Sequence, residues 1–253
     1  MQLNWPLIIV LFGLCLPGVF IVVPRLIKLL LPDNSEELRR RVTRLAVAQT
    51  LVMVFMMSLA GAALSLRTGL SATLLEALLQ GQPIFGLIQQ TMIPAILYTL
   101  GGLVIFLVLY YGIVESILDD KTSLALKKIR ATLGPDGCVL YGGVVEEVLA
   151  RWGLLNVIAF FAILFAKQKT DLVIWMSIFL SGILYAIGQL PAYLSAGCQP
   201  TRRLIYSLLL LTLWQAILFG WLFWQYGLVA AIVSHMLFHM GWALYDKPSS
   251  ELK

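Results

Sequence analysis

The sequence predicts an all-α, polytopic membrane protein, built as a bundle of about eight transmembrane helices. Of its 253 residues, 60% are hydrophobic and only 12% are charged, and the mean hydropathy is +0.90. A soluble globular domain is roughly a quarter charged. The apolar residues also form long charge-free stretches, and about 20 such residues cross a bilayer. These observations exclude a soluble enzyme and a disordered chain, and three cysteines in a long chain exclude a disulfide scaffold.

The predicted spans follow the charge-free stretches along the chain. We predict spans at about 5–24, 44–66, 92–114, 171–190, 204–225 and 227–245, with a further apolar stretch at about 138–166. The first span lacks the basic start and the cleavage site of a signal peptide, so we expect it to be retained. The stretch at 138–166 contains charged residues and is predicted to be one long helix or two short ones. All of residues 1–253 are treated as one integral membrane domain.

Two connections stand out between the spans. Residues 70–90 contain a glycine, a proline and adjacent glutamines, and are predicted to connect spans or to lie at the interface. Residues 115–137 are predicted to be a polar connection that ends in a turn, Gly134-Pro135-Asp136-Gly137.

Lysine and arginine near the span ends predict the orientation. Six basic residues lie between the first two predicted spans and four lie in residues 115–137, but only Arg67 lies in the connection between these. We therefore expect a cytoplasmic first and third connection and an N-terminus on the outer side; the later loops do not alternate clearly. The net charge of +5 suits anionic lipid as a partner. No separate basic domain favours a nucleic-acid partner, and we expect a multi-pass protein of the cell membrane.

Ionisable residues inside an apolar stretch are candidates for function, because each is expensive to place in a bilayer. Glu147 and Arg151 are i,i+4 neighbours and can pair. Glu146 lies about 100° round the helix from Glu147 and can face a different space. One glutamate can then be held while the other remains free, and a desolvated glutamate suits general-base work. An ion pair at the headgroup level also explains Glu147 and Arg151, but it explains Glu146 poorly.

Two further elements carry polar residues in apolar surroundings. His235 and His239 are the only two histidines, and their i,i+4 spacing places both on one helix face, which suits paired ligation or paired hydrogen bonding. Gln189 follows Tyr185 by one helical turn and precedes Pro191. Taken alone, Gln189 is interpreted as a glutamine at a helix end.

Taken in order, the three elements resemble the CPBP family, the CAAX proteases and bacteriocin-processing enzymes that are also called the Abi family. The family pattern is a Glu-Glu-x-x-x-Arg helix, then Phe-x-x-x-His, then His-x-x-x-Asn or a related residue. Here residues 144–155 read VVEEVLARWGLL, residues 181–193 read SGILYAIGQLPAY, and residues 219–239 read FGWLFWQYGLVAAIVSHMLFH. The resemblance covers roughly residues 137–245, which would form the catalytic core.

Two positions depart from the family pattern. Gln189 replaces the histidine of the second motif, and His239 replaces the final asparagine. An amide can donate and accept hydrogen bonds, but it does not carry a proton as an imidazole does. His239 can compensate in part, as a hydrogen-bond donor in the asparagine position or as a second imidazole.

The resemblance implies a CAAX-protease-like helical bundle whose site lies in a cavity open to the cytoplasm and the membrane. It also implies endoproteolysis, which in eukaryotic members removes the last three residues of prenylated CAAX proteins. The implied substrate is a peptide or protein, prenylated or otherwise membrane-bound. By this resemblance, Glu146 would be the general base, and Glu147 and Arg151 would form a supporting pair. His235 would orient the water or stabilise charge, and His239 would bind the oxyanion. Gln189 would bind the water or the substrate through its amide.

Family members are described both as metalloproteases and as glutamate-dependent proteases without a site metal. A catalytic zinc normally has three protein ligands, and Glu146, His235 and His239 could supply them. Two of these lie on one helix, however, and the ligand of the second motif is replaced. We therefore favour a protease without a cofactor, with zinc as the alternative.

Three functions remain open from the sequence. The first is an active glutamate-type intramembrane protease. The second is a catalytically silent relative that binds a membrane partner or acts as an immunity-type protein, which the glutamine at 189 favours. The third is a small transporter or proton path that uses Glu146 and His235, and it ranks last because the two halves show no paired broken helices.

Overall fold

The computed structural model describes residues 3–246, and this part of the chain contains helices and loops but no strand. The elements are α1 (Trp5–Leu30), α2 (Glu36–Thr68), α3 (Thr73–Leu79), α4 (Phe85–Leu107), the π-helical segment π1 (Val108–Val114), α5 (Glu115–Ile117), α6 (Asp120–Gly137), the π-helical segment π2 (Cys138–Leu155), α7 (Asn156–Ala166), α8 (Asp171–Ser195), α9 (Arg202–Tyr226) and α10 (Leu228–Tyr245). Within residues 3–246, seven helical runs are long and apolar enough to cross a membrane. The predicted all-α membrane bundle is confirmed, with seven such runs where about eight were expected.

Polar caps extend the helices beyond the charge-free stretches. The Ser35 side chain accepts a hydrogen bond from the Leu38 N–H at 3.3 Å, and two glutamates follow in the first turn of α2. A polar cap and acidic residues both stabilise a helix N-terminus. For this reason α2 begins at Glu36, ahead of the span predicted from about 44. Likewise α8 begins after a Thr170 cap and α9 after a Thr201 cap.

The segment predicted to be a polar connection, 115–137, is largely helical. Asp119 caps α6, and its carboxylate accepts a hydrogen bond from the Thr122 N–H at 2.9 Å. The hydrogen bonds from Thr122 lower the pKa of Asp119. Sequence reasoning missed this helix because its charged residues suggested a loop.

The predicted turn at 134–137 is a kink within a long helical run. Gly134 has φ 70° and ψ 164°, a left-handed φ that favours glycine. The run Asp120–Ala166 has 47 residues, and a straight helix of that length would extend roughly 70 Å, more than twice the hydrocarbon thickness. The kink therefore lets α6 depart from the direction of π2 and pack against α1, where Arg25 binds the Asp136 carboxylate through two contacts of 2.8 Å.

The π2 segment and α7 form one continuous helix, which resolves the alternative left open for 138–166. π2 lies at the centre of the bundle and packs against α1, α2 and α10. Trp152 of π2 is fully buried, and its indole N–H donates to the Ser58 carbonyl of α2 at 3.0 Å. One turn later, Asn156 donates to the Leu70 carbonyl at 3.3 Å. The helix that carries the Glu-Glu pair is thus fixed on several sides by buried contacts.

Candidate active site

A cavity of about 180 Å³ lies among α4, π1, α6, π2, α8, α9 and α10. Four of the six predicted site residues line it: Glu146, Gln189, His235 and His239. They come from three helices that are far apart along the chain. The other two predicted residues, Glu147 and Arg151, are buried beside this cavity without lining it.

Glu147 binds His235 across the interface between π2 and α10. The His235 Nδ1 lies 2.7 Å from Glu147 Oε1, and both side chains are almost fully buried. A carboxylate partner at Nδ1 fixes the imidazole orientation and its tautomer. It leaves Nε2 as the ring nitrogen that can interact with molecules in the cavity. Sequence reasoning did not foresee this contact.

Arg151 is the second neighbour of Glu147, as the i,i+4 spacing predicted. The Arg151 Nε lies 3.5 Å from Glu147 Oε2, too long for a strong hydrogen bond, and neither atom has a hydrogen-bond partner among the described residues. The guanidinium also donates to the Gln215 carbonyl at 3.1 Å and lies 5.6 Å from the centre of the Phe219 ring. Glu147 is therefore held by a hydrogen bond from one side and by a positive charge from the other.

The two histidines stack on one face of α10. The His235 ring lies 4.2 Å from the Phe219 ring centre and 4.7 Å from the His239 ring centre. The predicted shared face is thus observed. The His239 Nδ1 is buried, and no residue within 3–246 supplies it with a hydrogen-bond partner. Because buried polar atoms are nearly always paired, this nitrogen is a candidate for binding a ligand in the cavity.

Two glycines allow α10 to approach π2 closely. A Cβ built on Gly142 would collide with the His239 imidazole, and one built on Gly143 would lie 3.0 Å from backbone atoms of Met236. Sequence reasoning overlooked these glycines. The sequence does contain a signal for them. Each glycine precedes one of the two glutamates by four residues, and so lies on the same helix face one turn earlier.

The second motif lies beside Glu146. Tyr185 on α8 lies close enough to both Glu146 and Gln189 for its side chain to interact with them. Gln189 is half-buried in the cavity wall. The structure thus brings all three motifs to one place, although what each residue does there stays a prediction.

Comparison with known proteins finds a family similarity in the region that carries these motifs. Residues 137–241 match the family model of the type II CAAX prenyl endopeptidase Rce1-like proteins. This region is therefore similar to the CAAX protease family. No curated protein and no solved structure matches the chain. The matched region runs from the start of π2 nearly to the end of α10, close to the 137–245 delimited by the motifs, and it contains all six predicted site residues.

Within the matched region, the described side chains that could ligate a metal ion are not arranged as a metal site. Residues 3–246 contain no group of three or more His, Cys, Asp or Glu side chains arranged to hold one. Oε1 of Glu147 and Nδ1 of His235 already bind each other at 2.7 Å, and the position of the second motif carries an amide. We therefore derive no reaction step through a metal.

Proposed function

We propose that this protein is an intramembrane endopeptidase of the cell membrane in which Glu146 is the general base. The observation that supports it best is the convergence of Glu146, Gln189, His235 and His239 on one cavity within an apolar bundle. The family description suggests a substrate that carries a prenyl group near its C-terminus. Such a lipid-modified peptide can reach the cavity from the bilayer.

The reaction begins with a water molecule between Glu146 and the scissile carbonyl. Glu146 accepts a proton as the water oxygen attacks the carbonyl carbon. The oxyanion that forms accepts a hydrogen bond from His239, whose Nδ1 has no protein partner in the part of the chain described. The C–N bond then breaks, and the proton held by Glu146 passes to the leaving nitrogen. The products are a carboxyl group and an amine, and Glu146 is again ionised.

His235 and Glu147 position the water in this scheme. If Nδ1–H of His235 donates to the Glu147 carboxylate, Nε2 presents a lone pair to the cavity and accepts a hydrogen bond from the water. Gln189 holds the water or the substrate carbonyl through its amide. Tyr185, which lies beside Gln189, can help to orient that amide.

A cleavage assay in liposomes tests the proposal. The probe is a farnesylated peptide that ends in a CAAX sequence, and mass spectrometry measures release of the terminal tripeptide. Glu146→Gln should abolish release, because an amide cannot accept the proton. Glu115→Gln is the matched control, since Glu115 pairs with Lys127 outside the site cavity. Release that persists in Glu146→Gln would refute the assignment of the base.

New protein termini in membranes provide a test that needs no chosen substrate. Termini that appear with the original chain and disappear with Glu146→Gln would support the protease. If no variant produces Glu146-dependent termini or cleaves the peptide, the protease proposal is wrong.

One observation favours a second candidate, a silent relative that binds its partner without cleaving it. Gln189 occupies the position of the family histidine in the cavity wall and does not carry a proton as histidine does. Gln189→His tests this alternative in the same two assays. Cleavage that appears only in Gln189→His would favour the silent relative.

A further inference from the structure

A second, larger cavity of about 880 Å³ adjoins the site cavity, and we call it the vestibule. Tyr110, Arg130 and Cys138 line both cavities. Arg130, on α6, is the one arginine or lysine among the described residues that lines both. It therefore places a positive charge where a substrate would pass between the two.

Arg130 belongs to a group of side chains that together bind a carboxylate. Its Nε lies 2.5 Å from Oδ2 of Asp246, and the Tyr111 hydroxyl donates to Oδ1 of the same side chain at 3.1 Å. The guanidinium lies 3.3 Å from the centre of the Trp242 ring, and the Trp242 indole N–H donates to the Tyr111 oxygen at 3.2 Å. We call Arg130, Tyr111 and Trp242 the carboxylate cradle.

The chemistry of this cradle suits a free carboxylate. A guanidinium forms charge-assisted hydrogen bonds with carboxylates and stacks on aromatic rings, and the tyrosine adds a second donor. The Arg130 side chain is only 17% exposed, whereas that of Asp246 is 38% exposed. The Arg130 guanidinium is thus held in place, and Asp246, its present partner, is the more exposed of the two side chains.

Asp246 is suited to leave the cradle without unfolding. Its backbone N–H closes α10 by donating to the Trp242 carbonyl at 2.9 Å. A rotation of the side chain alone would release its carboxylate. Another carboxylate could then bind Arg130 and Tyr111 in the same positions.

The cradle lies beside the predicted oxyanion donor, His239. Trp242 stacks on Arg130 and has its ring centre 6.3 Å from that of His239. A carboxylate on Arg130 and a carbonyl at His239 are therefore close enough to belong to one short peptide segment, because an extended chain spans about 3.3–3.6 Å per residue.

We propose that the carboxylate cradle binds the C-terminal carboxylate of a peptide substrate, and that Asp246 occupies it as an internal competitor. This inference rests on the proposed endopeptidase function. It adds that the substrate is recognised by its free C-terminus and that the chain restrains its own access.

A binding measurement tests this inference independently of catalysis. The probe is a fluorescent farnesylated peptide, prepared with a C-terminal carboxylate and with a C-terminal amide. Its affinity is measured by anisotropy against the full-length Glu146→Gln protein in nanodiscs, where cleavage does not intervene. A hydrogen bond to a charged group is worth roughly 10- to 100-fold in affinity, so the carboxylate form should bind at least about tenfold more tightly.

Variants of Asp246 and Arg130 test whether the preference for the carboxylate peptide depends on the carboxylate cradle. Asp246→Asn should tighten binding of the carboxylate peptide about tenfold and leave the amide peptide unchanged, because only the former competes for Arg130. Arg130→Gln should remove the difference between the two peptides. Glu36→Gln is the control, since it breaks an exposed ion pair with Arg40 on α2 outside both cavities and should change neither affinity.

The outcomes distinguish the two proposals. Equal affinity for both peptides, including binding of neither, would overturn the inference, as would an Asp246→Asn effect that is equal for both. If the carboxylate form is preferred as expected but the protein with Glu146 intact cleaves nothing, the inference stands and the proposed function fails. If Glu146-dependent cleavage ignores amidation, the function stands and the inference fails. Should Arg130→Gln unfold, Asp246→Asn alone carries the test.

Discussion

Replacement of Glu147 by glutamine should destabilise the bundle by about 3–5 kcal/mol, because breaking a buried ion pair leaves an uncompensated charge. Glu147 is fully buried, and the Arg151 side chain beside it is only 6% exposed. In Glu147→Gln the guanidinium keeps the Gln215 carbonyl and the Phe219 ring, but it loses the carboxylate with which it pairs. Removing both charges in Glu147→Gln/Arg151→Met should cost less than the sum of the single changes, by about 0.5–3 kcal/mol.

Equilibrium unfolding in SDS, followed by tryptophan fluorescence, measures these free energies. Glu36→Gln is the control, because Glu36 and Arg40 form an i,i+4 pair of the same spacing on side chains that are about 70% exposed. That pair should contribute less than about 0.5 kcal/mol. A loss below about 1 kcal/mol for Glu147→Gln, or strict additivity in the double variant, would refute the view that the buried charge governs stability.

Three further predictions concern packing and reactivity. Gly142→Ala should lower the free energy of unfolding by about 1–3 kcal/mol by overpacking, because the added Cβ would collide with the His239 ring. Gly188→Ala on α8 is the control, because open space surrounds that position and the change should be neutral or slightly stabilising. Unfolding in SDS compares the two variants. Trp152→Phe removes an indole hydrogen bond at a fully buried position and should lose about 1–3 kcal/mol in the same assay. Burial raises the pKa of the Cys198 thiol, so a variant whose other two cysteines are alanine should label slowly with maleimide at pH 7 until SDS unfolds it; rapid labelling of the folded protein would contradict this.

The sequence predicted the features that depend on local pattern. Charge-free stretches gave the membrane helices, and helical spacing predicted that Glu147 pairs with Arg151 and that His235 and His239 share a face. The resemblance over 137–245 agrees with the family match at 137–241.

The contacts between distant segments could not be read from the sequence. The bond between Glu147 and His235 joins residues on π2 and α10, and it depends on how closely these helices approach. Gly142 and Gly143 allow that close approach. They carry no charge, and the sequence pattern alone did not mark them as important. The cradle around Arg130 was missed for a related reason: arginine near a span end was interpreted only as a signal of membrane orientation.

The unequal packing around the site bears on how such a protein can evolve. Glu147 and His235 sit in a tightly packed interface where a substitution leaves a buried charge or an unpaired ring nitrogen. Gln189 lies half-buried on α8, where the neighbouring Gly188 has open space around it. Under the proposed function, a substitution at 189 would change the chemistry of the cavity wall without leaving a fully buried charge unpaired, and a lineage could lose or regain turnover through that single position.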